Sequence, residues 1–293
     1  MKLGFSLFIK EVILFGLTLT LGLYTAYQYS LGTIDIIQDG VVRFTFTDLV
    51  VLLILFSAIF FISRHKRIAR FSFRFFLILI VFSGTQVVLG TLLSSPWDLA
   101  VAVLFTLIFS LGVNVLVHNL GIIFGIGGIA AVFGLSISVE FGLILLVTLS
   151  LYDIIAVYVT KHMVTLARSM VENGAVFGFL IPLEFRGFFY GKEQATEFLG
   201  RLKHGQETTP RKAGIGENFM ILGSGDIGLP LIFAVSLVNV SLTLAIITAA
   251  FSLLGLFVTH LLFLNQEKRR AMAALPPIAT LTIIGYLVSL LVI

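Results

Sequence analysis

The chain has 293 residues, of which 58% are hydrophobic and 12% are charged, and its mean hydropathy is +1.10. This composition lies far outside the range of soluble globular domains. Cysteine is absent, which excludes a disulfide framework, a thiolate metal site and a cysteine nucleophile. The net charge of +4 does not indicate a nucleic-acid partner, because the basic residues fall in short connections between apolar runs.

Apolar runs recur along the whole chain, and each is long enough to cross a hydrocarbon core of about 30 Å as a helix. The short alternating strands that are typical of a membrane barrel are not seen. The sequence therefore predicts an all-α polytopic membrane protein with nine transmembrane helices. These are expected at 11–30, 47–63, 73–93, 97–116, 120–138, 141–160, 218–239, 242–264 and 276–293.

The distribution of lysine and arginine predicts the orientation. With a cytoplasmic N-terminus, every Lys and Arg except Arg43 falls on the cytoplasmic side, including Lys10 just before the first span. Nine spans then place the C-terminus outside, and we expect a multi-pass protein of a cell membrane. The glycines of the fifth span, Gly121 and Gly125 among them, are interpreted as sites of close helix packing.

Three parts are expected along the chain. Residues 1–160 form an N-terminal six-helix part, 161–217 a cytoplasmic loop, and 218–293 a C-terminal three-helix part. The loop contains an apolar patch, Val176–Tyr190, which is too short and too interrupted to span. Two interpretations stay open for it, a segment packed at the membrane interface and a lid that guides a substrate.

Two aspartates lie inside predicted spans, and each is the only charged residue of its apolar run. Asp153 belongs to the sixth span and Asp226 to the seventh. A carboxylate at membrane depth is costly and marks a functional site by default. At 1.5 Å per residue, Asp153 lies about 12 Å and Asp226 about 14 Å from the cytoplasmic ends of their spans. The two spans run in opposite directions and can be neighbours, so the acids can share one site.

A pair of carboxyl groups in contact holds a single proton, because both cannot ionise easily. Such a pair can activate water. The ionised acid takes a proton from the water while the neutral acid polarises a peptide carbonyl. This chemistry needs no metal and no cofactor, and neither is expected. The five histidines are scattered and are expected in loops or at helix ends.

Two further segments are expected to shape the site. Gly223 and Gly225 precede Asp226, and glycine both weakens a helix and permits close backbone approach. A proline-containing segment, Ala273–Pro277, opens the last span and leaves helix carbonyls without donors.

Three short motifs, in their order along the chain, resemble those of the presenilin and signal peptide peptidase family of GxGD intramembrane aspartyl proteases. They are Tyr152–Asp153, Gly223–Asp226 (GSGD) and Ala273–Pro276 (AALP), where the family's P-A-L is A-A-L. The resemblance is closest to archaeal presenilin-like proteins, which implies a prokaryotic, archaeal-type plasma membrane. It implies that Asp153 and Asp226 are catalytic, and that Tyr152, Gly223, Gly225, Ala273, Ala274, Leu275 and Pro276 shape the site or bind substrate.

Two functions from different classes remain open. The leading hypothesis is an aspartyl endopeptidase that cuts transmembrane helices of other proteins in the lipid bilayer, alone or as a homo-oligomer, with no nucleic-acid partner. Its substrate must unwind near the cut, and the unwound segment is expected to add as a strand to exposed backbone near the loop or Pro276. The alternative is an ion-coupled transporter, or a cation-leak channel, that uses the same paired acids.

Overall fold

The computed structural model describes residues 2–32, 66–160, 174–191, 219–265 and 272–292. Within them, eight helices and two short strands follow one another along the chain. They are α1 (Lys2–Ser30), α2 (Lys66–Gly90), α3 (Trp97–Ser110), α4 (Val115–Leu135), α5 (Val139–Ile154), β1 (Gly178–Pro182), β2 (Phe219–Gly223), α6 (Ser224–Ser236), α7 (Leu242–Leu264) and α8 (Leu275–Val292). The predicted second span, 47–63, and most of the predicted loop lie outside the described residues.

Five of the described helices are long and apolar enough to cross a membrane. They cover Phe5–Ser30, Phe71–Gly90, Val115–Leu135, Val139–Val159 and Leu242–Leu264. The helices Trp97–Ser110, Ser224–Ser236 and Leu275–Leu291 are apolar but shorter. The prediction of a mostly helical, multi-pass membrane protein is confirmed at this level, and the full count of nine stays a prediction.

Helix α4 is the centre of the packing. It contacts α1, α2 and α6, and 67% of its most apolar 18-residue stretch is buried inside the protein. Its glycines make this possible, because a Cβ on Gly125 would lie 3.2 Å from the side chain of Ile80, and one on Gly84 of α2 would lie 2.5 Å from the backbone of Gly125. The interpretation of Gly121 and Gly125 as packing residues agrees with this arrangement.

The chain is not entirely helical, which corrects the all-α prediction. Strands β1 and β2 pair antiparallel, with Gly178 opposite Gly223 and Pro182 opposite Phe219. The predicted seventh span, 218–239, therefore begins as a strand and becomes helical only at Ser224. Five extended residues followed by a 13-residue helix rise about 16 Å and 20 Å, which together suffice for a bilayer core.

The first half of the apolar patch of the predicted loop, through Pro182, lies inside the protein, whereas Phe185 and Phe189 are exposed. Every residue of β1 is buried, and Phe179 and Ile181 belong to the main core cluster. A 3₁₀ turn, Phe185–Phe189, follows β1, and the carbonyl of Tyr190 accepts a hydrogen bond from the first backbone amide of α4, that of Val115. The expectation of a segment lying on the membrane interface is therefore wrong for β1.

Candidate active site

Asp153 is the penultimate residue of α5, and its side chain is buried, with 8% relative exposure. Immediately after it the backbone changes to a π-helical turn over Ile155–Val159. Such turns interrupt regular helices mainly at functional sites. The Oδ2 atom of Asp153 is buried and accepts no hydrogen bond from any described residue.

Asp226 lies in the first turn of α6, at the third helical position after the N-cap Gly223. Its carboxyl group accepts a hydrogen bond from the backbone amide of Gly223. An acid at this position satisfies an amide that the helix leaves unpaired, and the helix dipole favours its negative charge. Pro230 has no N–H to give to the Asp226 carbonyl four residues earlier. The helix is therefore held at its start and softened one turn later.

The two acids are brought together. Helices α5 and α6 pack against each other, and the carboxyl groups of Asp153 and Asp226 are close enough to interact electrostatically. Asp153 comes at the end of one helix and Asp226 at the beginning of the other, so both lie toward the same end of the helix pair. The arrangement agrees with the matching depths expected from the sequence.

The start of α8 forms the third side of the site. The backbone amide of Leu275 donates a hydrogen bond to the carboxyl group of Asp153. The Leu275 side chain packs in a cluster with Leu146 of α5 and Phe233 of α6. The hydroxyl of Thr259 on α7 donates to the carbonyl of Ala274 at 3.4 Å. The proline-containing segment is thus tied to all three helices around it.

The other expected site residues differ in their placement. Gly223 approaches the acid directly, because a Cβ there would lie 2.9 Å from Oδ2 of Asp226. Gly225 is exposed, and a Cβ there would meet nothing within 4 Å. Tyr152 is 49% exposed on the outer side of α5. Ala273 is buried and Pro276 is partly buried, and neither has a recorded contact with an acid.

Several buried polar residues near this end of the molecule were missed by the sequence analysis. Lys10 was expected on the cytoplasmic side just before the first span, but it is buried within α1. His118 and His260 lie in the first turn of α4 and near the end of α7, at helix ends as expected, but both are buried. His260 pairs with Glu11 at 2.9 Å. The signal that could have found His118 is its neighbour Asn119, because two adjacent polar residues inside an apolar helix need buried partners.

No group of three His, Cys, Asp or Glu side chains that could hold a metal occurs in the described part of the chain. The site thus consists of two carboxyl groups, the backbone amides of Gly223 and Leu275, and the beginnings of two helices.

A family model described as signal-peptide peptidase, presenilin aspartyl protease matches residues 13–293. Two solved structures of a presenilin family intramembrane aspartate protease, in space groups C222 and P2, share the fold. The first is 22% identical, with a TM-score of 0.57, and the match covers 96% of this chain and 95% of that one. The second is 21% identical, with a TM-score of 0.59 and 96% coverage of both chains. No curated protein matches the sequence.

Proposed function

Because the chain belongs to the signal-peptide peptidase and presenilin aspartyl protease family and is therefore an aspartic endopeptidase, we propose that it cuts transmembrane segments of other membrane proteins, with Asp153 and Asp226 as its catalytic pair. The observation that carries the proposal is geometric: the two acids come from helices that pack against each other, one at the end of its helix and the other at the beginning, and they lie near enough to interact.

The proposed reaction uses water as the nucleophile. One carboxylate takes a proton from the water as its oxygen attacks the peptide carbonyl carbon, and the other, protonated acid gives its proton to the carbonyl oxygen. The tetrahedral intermediate then collapses: the C–N bond breaks, the leaving nitrogen takes a proton from one acid, and a hydroxyl of the intermediate returns a proton to the other acid as the carbonyl re-forms. The Gly223 and Leu275 amides hold the two carboxyl groups in place during these transfers.

Substrate presentation follows from the sheet. A helical peptide hides its carbonyl groups in hydrogen bonds, so a substrate helix must unwind before water can attack. Strand β2 is only partly buried and leads directly into the helix that carries Asp226. We propose that the unwound segment pairs with the outer edge of β2 and is thereby delivered to the acids.

A peptide inhibitor tests this pairing. An extended apolar peptide should inhibit cleavage, and N-methylation of every second amide in one register should abolish inhibition, because the methyl groups block strand pairing. Methylation in the alternate register should leave inhibition nearly unchanged. Equal inhibition by both methylated peptides would exclude pairing with β2.

The catalytic proposal is tested with purified protein in liposomes and a single-span fusion substrate. The protein should release two fragments, and Asp153→Ala and Asp226→Ala should each abolish them while the variants remain folded. Fragments that persist in either variant would rule out the pair. Ion flux that depends on the two acids, without any proteolysis, would instead favour the transporter or channel alternative.

A further inference from the structure

The outer edge of β1, which faces away from β2, is occupied by side chains of α4. The amide group of Asn119 donates from Nδ2 to the carbonyl of Leu180 at 2.8 Å, and its Oδ1 accepts from the Leu180 amide at 2.9 Å. One residue earlier, Nε2 of His118 lies 3.0 Å from the carbonyl oxygen of Gly178. Asn119 thus makes the pair of bonds that a neighbouring strand would make.

Helix α1 completes the same edge. The ammonium group of Lys10 donates to the carbonyl of Pro182 at 2.8 Å and to that of Leu183 at 2.7 Å. In a strand, alternate residues direct their backbone groups to the same side. The backbone groups of Gly178, Leu180 and Pro182 therefore all point to the outer edge of β1, where His118, Asn119 and Lys10 bond them in turn. Together the three side chains replace a third strand. Lys10, His118 and Asn119 are called the edge clamp below.

The edge clamp is buried, and β2 is not. The relative exposure of Lys10, His118 and Asn119 is 5%, 2% and 1%. Burying such groups among apolar side chains is costly unless they are hydrogen-bonded, so their bonds to β1 account for their position. On β2, by contrast, four of the five residues are partly exposed. In the described part of the chain, the sheet can therefore be extended only at β2.

Movement of β1 would be transmitted to the acid pair. Strand β1 is in register with β2, with Gly178 opposite Gly223. Gly223 in turn donates its amide to Asp226. The edge clamp, β1, β2 and one acid are thus connected, by side-chain bonds to β1 and by strand pairing, from α1 and α4 to the site.

We propose that the edge clamp positions the sheet, so that a substrate strand adds only at β2 and in one register relative to the acid pair. Lys10, His118 and Asn119 are positioning residues in this proposal, which rests on the proposed function. Without them β1 can slide or tilt, and the register of the bound substrate is no longer unique.

The test is Asn119→Leu, which has a similar volume and removes both bonds to Leu180. Cleavage of a single-span substrate is measured as kcat and KM, and the ends of the fragments are identified by mass spectrometry. The expected result is a KM raised at least about fivefold, because a sheet that is no longer held in one position must be ordered when the substrate binds. New cut positions should appear beside the original one, and kcat should change by less than about threefold.

Tyr29→Phe is the matched control. The Tyr29 hydroxyl is also part of a buried side chain and donates to a backbone carbonyl, that of Val87, at 2.9 Å, but it is remote from the sheet. This variant should keep the KM and the cut positions. Identical changes in both variants would show a general loss of stability and overturn the proposal.

Further variants keep the test decisive if Asn119→Leu accumulates poorly. His118→Phe retains the ring that stacks on Phe109 at 5.8 Å, and Lys10→Met retains an apolar stem of similar length. Both should broaden the cut positions. If a variant yields less folded protein while the protein that does fold still cuts at the original positions, the edge clamp has a purely structural role. That result would refute the proposal. Because Asp153→Ala tests catalysis separately, this failure is distinct from failure of the protease assignment.

Discussion

Adding one methyl group at Gly223 tests how closely this glycine controls the position of Asp226. In Gly223→Ala the new Cβ lies 2.9 Å from Oδ2 and 3.6 Å from Cγ of Asp226. Comfortable contact begins near 3.4 Å, so the carboxyl group must move by about 0.5 Å. The backbone accepts alanine, because φ is −63° and ψ is 143° at Gly223. The perturbation therefore falls on the acid and not on the fold.

The size of the effect follows from that displacement. Misplacement of a reacting group by about 1 Å costs about 100-fold in rate, so about 0.5 Å predicts a kcat lowered about tenfold. This corresponds to about 1.4 kcal/mol in the activation barrier. The free energy of unfolding should change by less than about 1 kcal/mol, because glycine-to-alanine effects at compatible positions are of this size.

Gly225→Ala is the control within the same motif. A Cβ at Gly225 would meet no atom within 4 Å, so its kcat should stay within about twofold of the parent. Both variants are compared by initial rates of fragment release and by thermal unfolding in one detergent. An undiminished kcat in Gly223→Ala, or equal losses in both variants, would refute the reasoning.

Three further outcomes are expected. Gly255→Ala should destabilise the protein by about 1–3 kcal/mol. The new Cβ would lie 2.5 Å from the Cα of Ile278 and would push α8 away from α7. An unchanged thermal midpoint would contradict this close contact. Glu11→Leu should lower the free energy of unfolding by about 3 kcal/mol, because the buried His260 loses its carboxylate partner. Adding His260→Phe to this variant should recover part of the loss. Purely additive losses would show that the two side chains are not coupled. The chain has no native cysteine, so a single cysteine that replaces Arg43 or Arg211 can be labelled selectively. The two cysteines should react from opposite sides of the membrane. Labelling of both from the same side would disprove the predicted orientation.

The acid pair was accessible to sequence reasoning because its signal is local. A charged residue in an apolar run is visible without any structure, and a rise of 1.5 Å per residue is enough to compare the depths of Asp153 and Asp226. The role of the last span's beginning was visible for the same reason, since proline interrupts a helix. The amide of Leu275 is indeed bonded to Asp153.

The sheet could not be predicted in the same way. The residues of β2, Phe219–Gly223 (FMILG), form a short apolar run without alternation, and periodicity cannot distinguish a buried strand from a helix in such a run. What makes it a strand is pairing with β1, about 40 residues earlier in the chain. The partner was itself hidden, because an apolar patch between polar stretches is also typical of an interfacial segment.

The edge clamp was missed because its bonds are remote in sequence. Lys10 is separated from Pro182 by 172 positions, and Asn119 from Leu180 by 61. A lysine at the start of a span is ordinarily a topology anchor, so its burial depends on carbonyl groups that only the folded chain supplies. Tyr152 lies beside Asp153 in sequence and its side chain is 49% exposed, so a role for it in the site stays a prediction.

The central claim is that Asp153 and Asp226 act as one catalytic unit. The most direct measurement is kcat/KM for cleavage of a single-span substrate by Asp153→Asn, Asp226→Asn and the double variant, all with unchanged thermal midpoints. Residues that act together are not additive, so each single variant should lose at least about 1,000-fold and the double variant should lose no more. Substantial cleavage by either single variant, or losses that multiply in the double variant, would contradict the account.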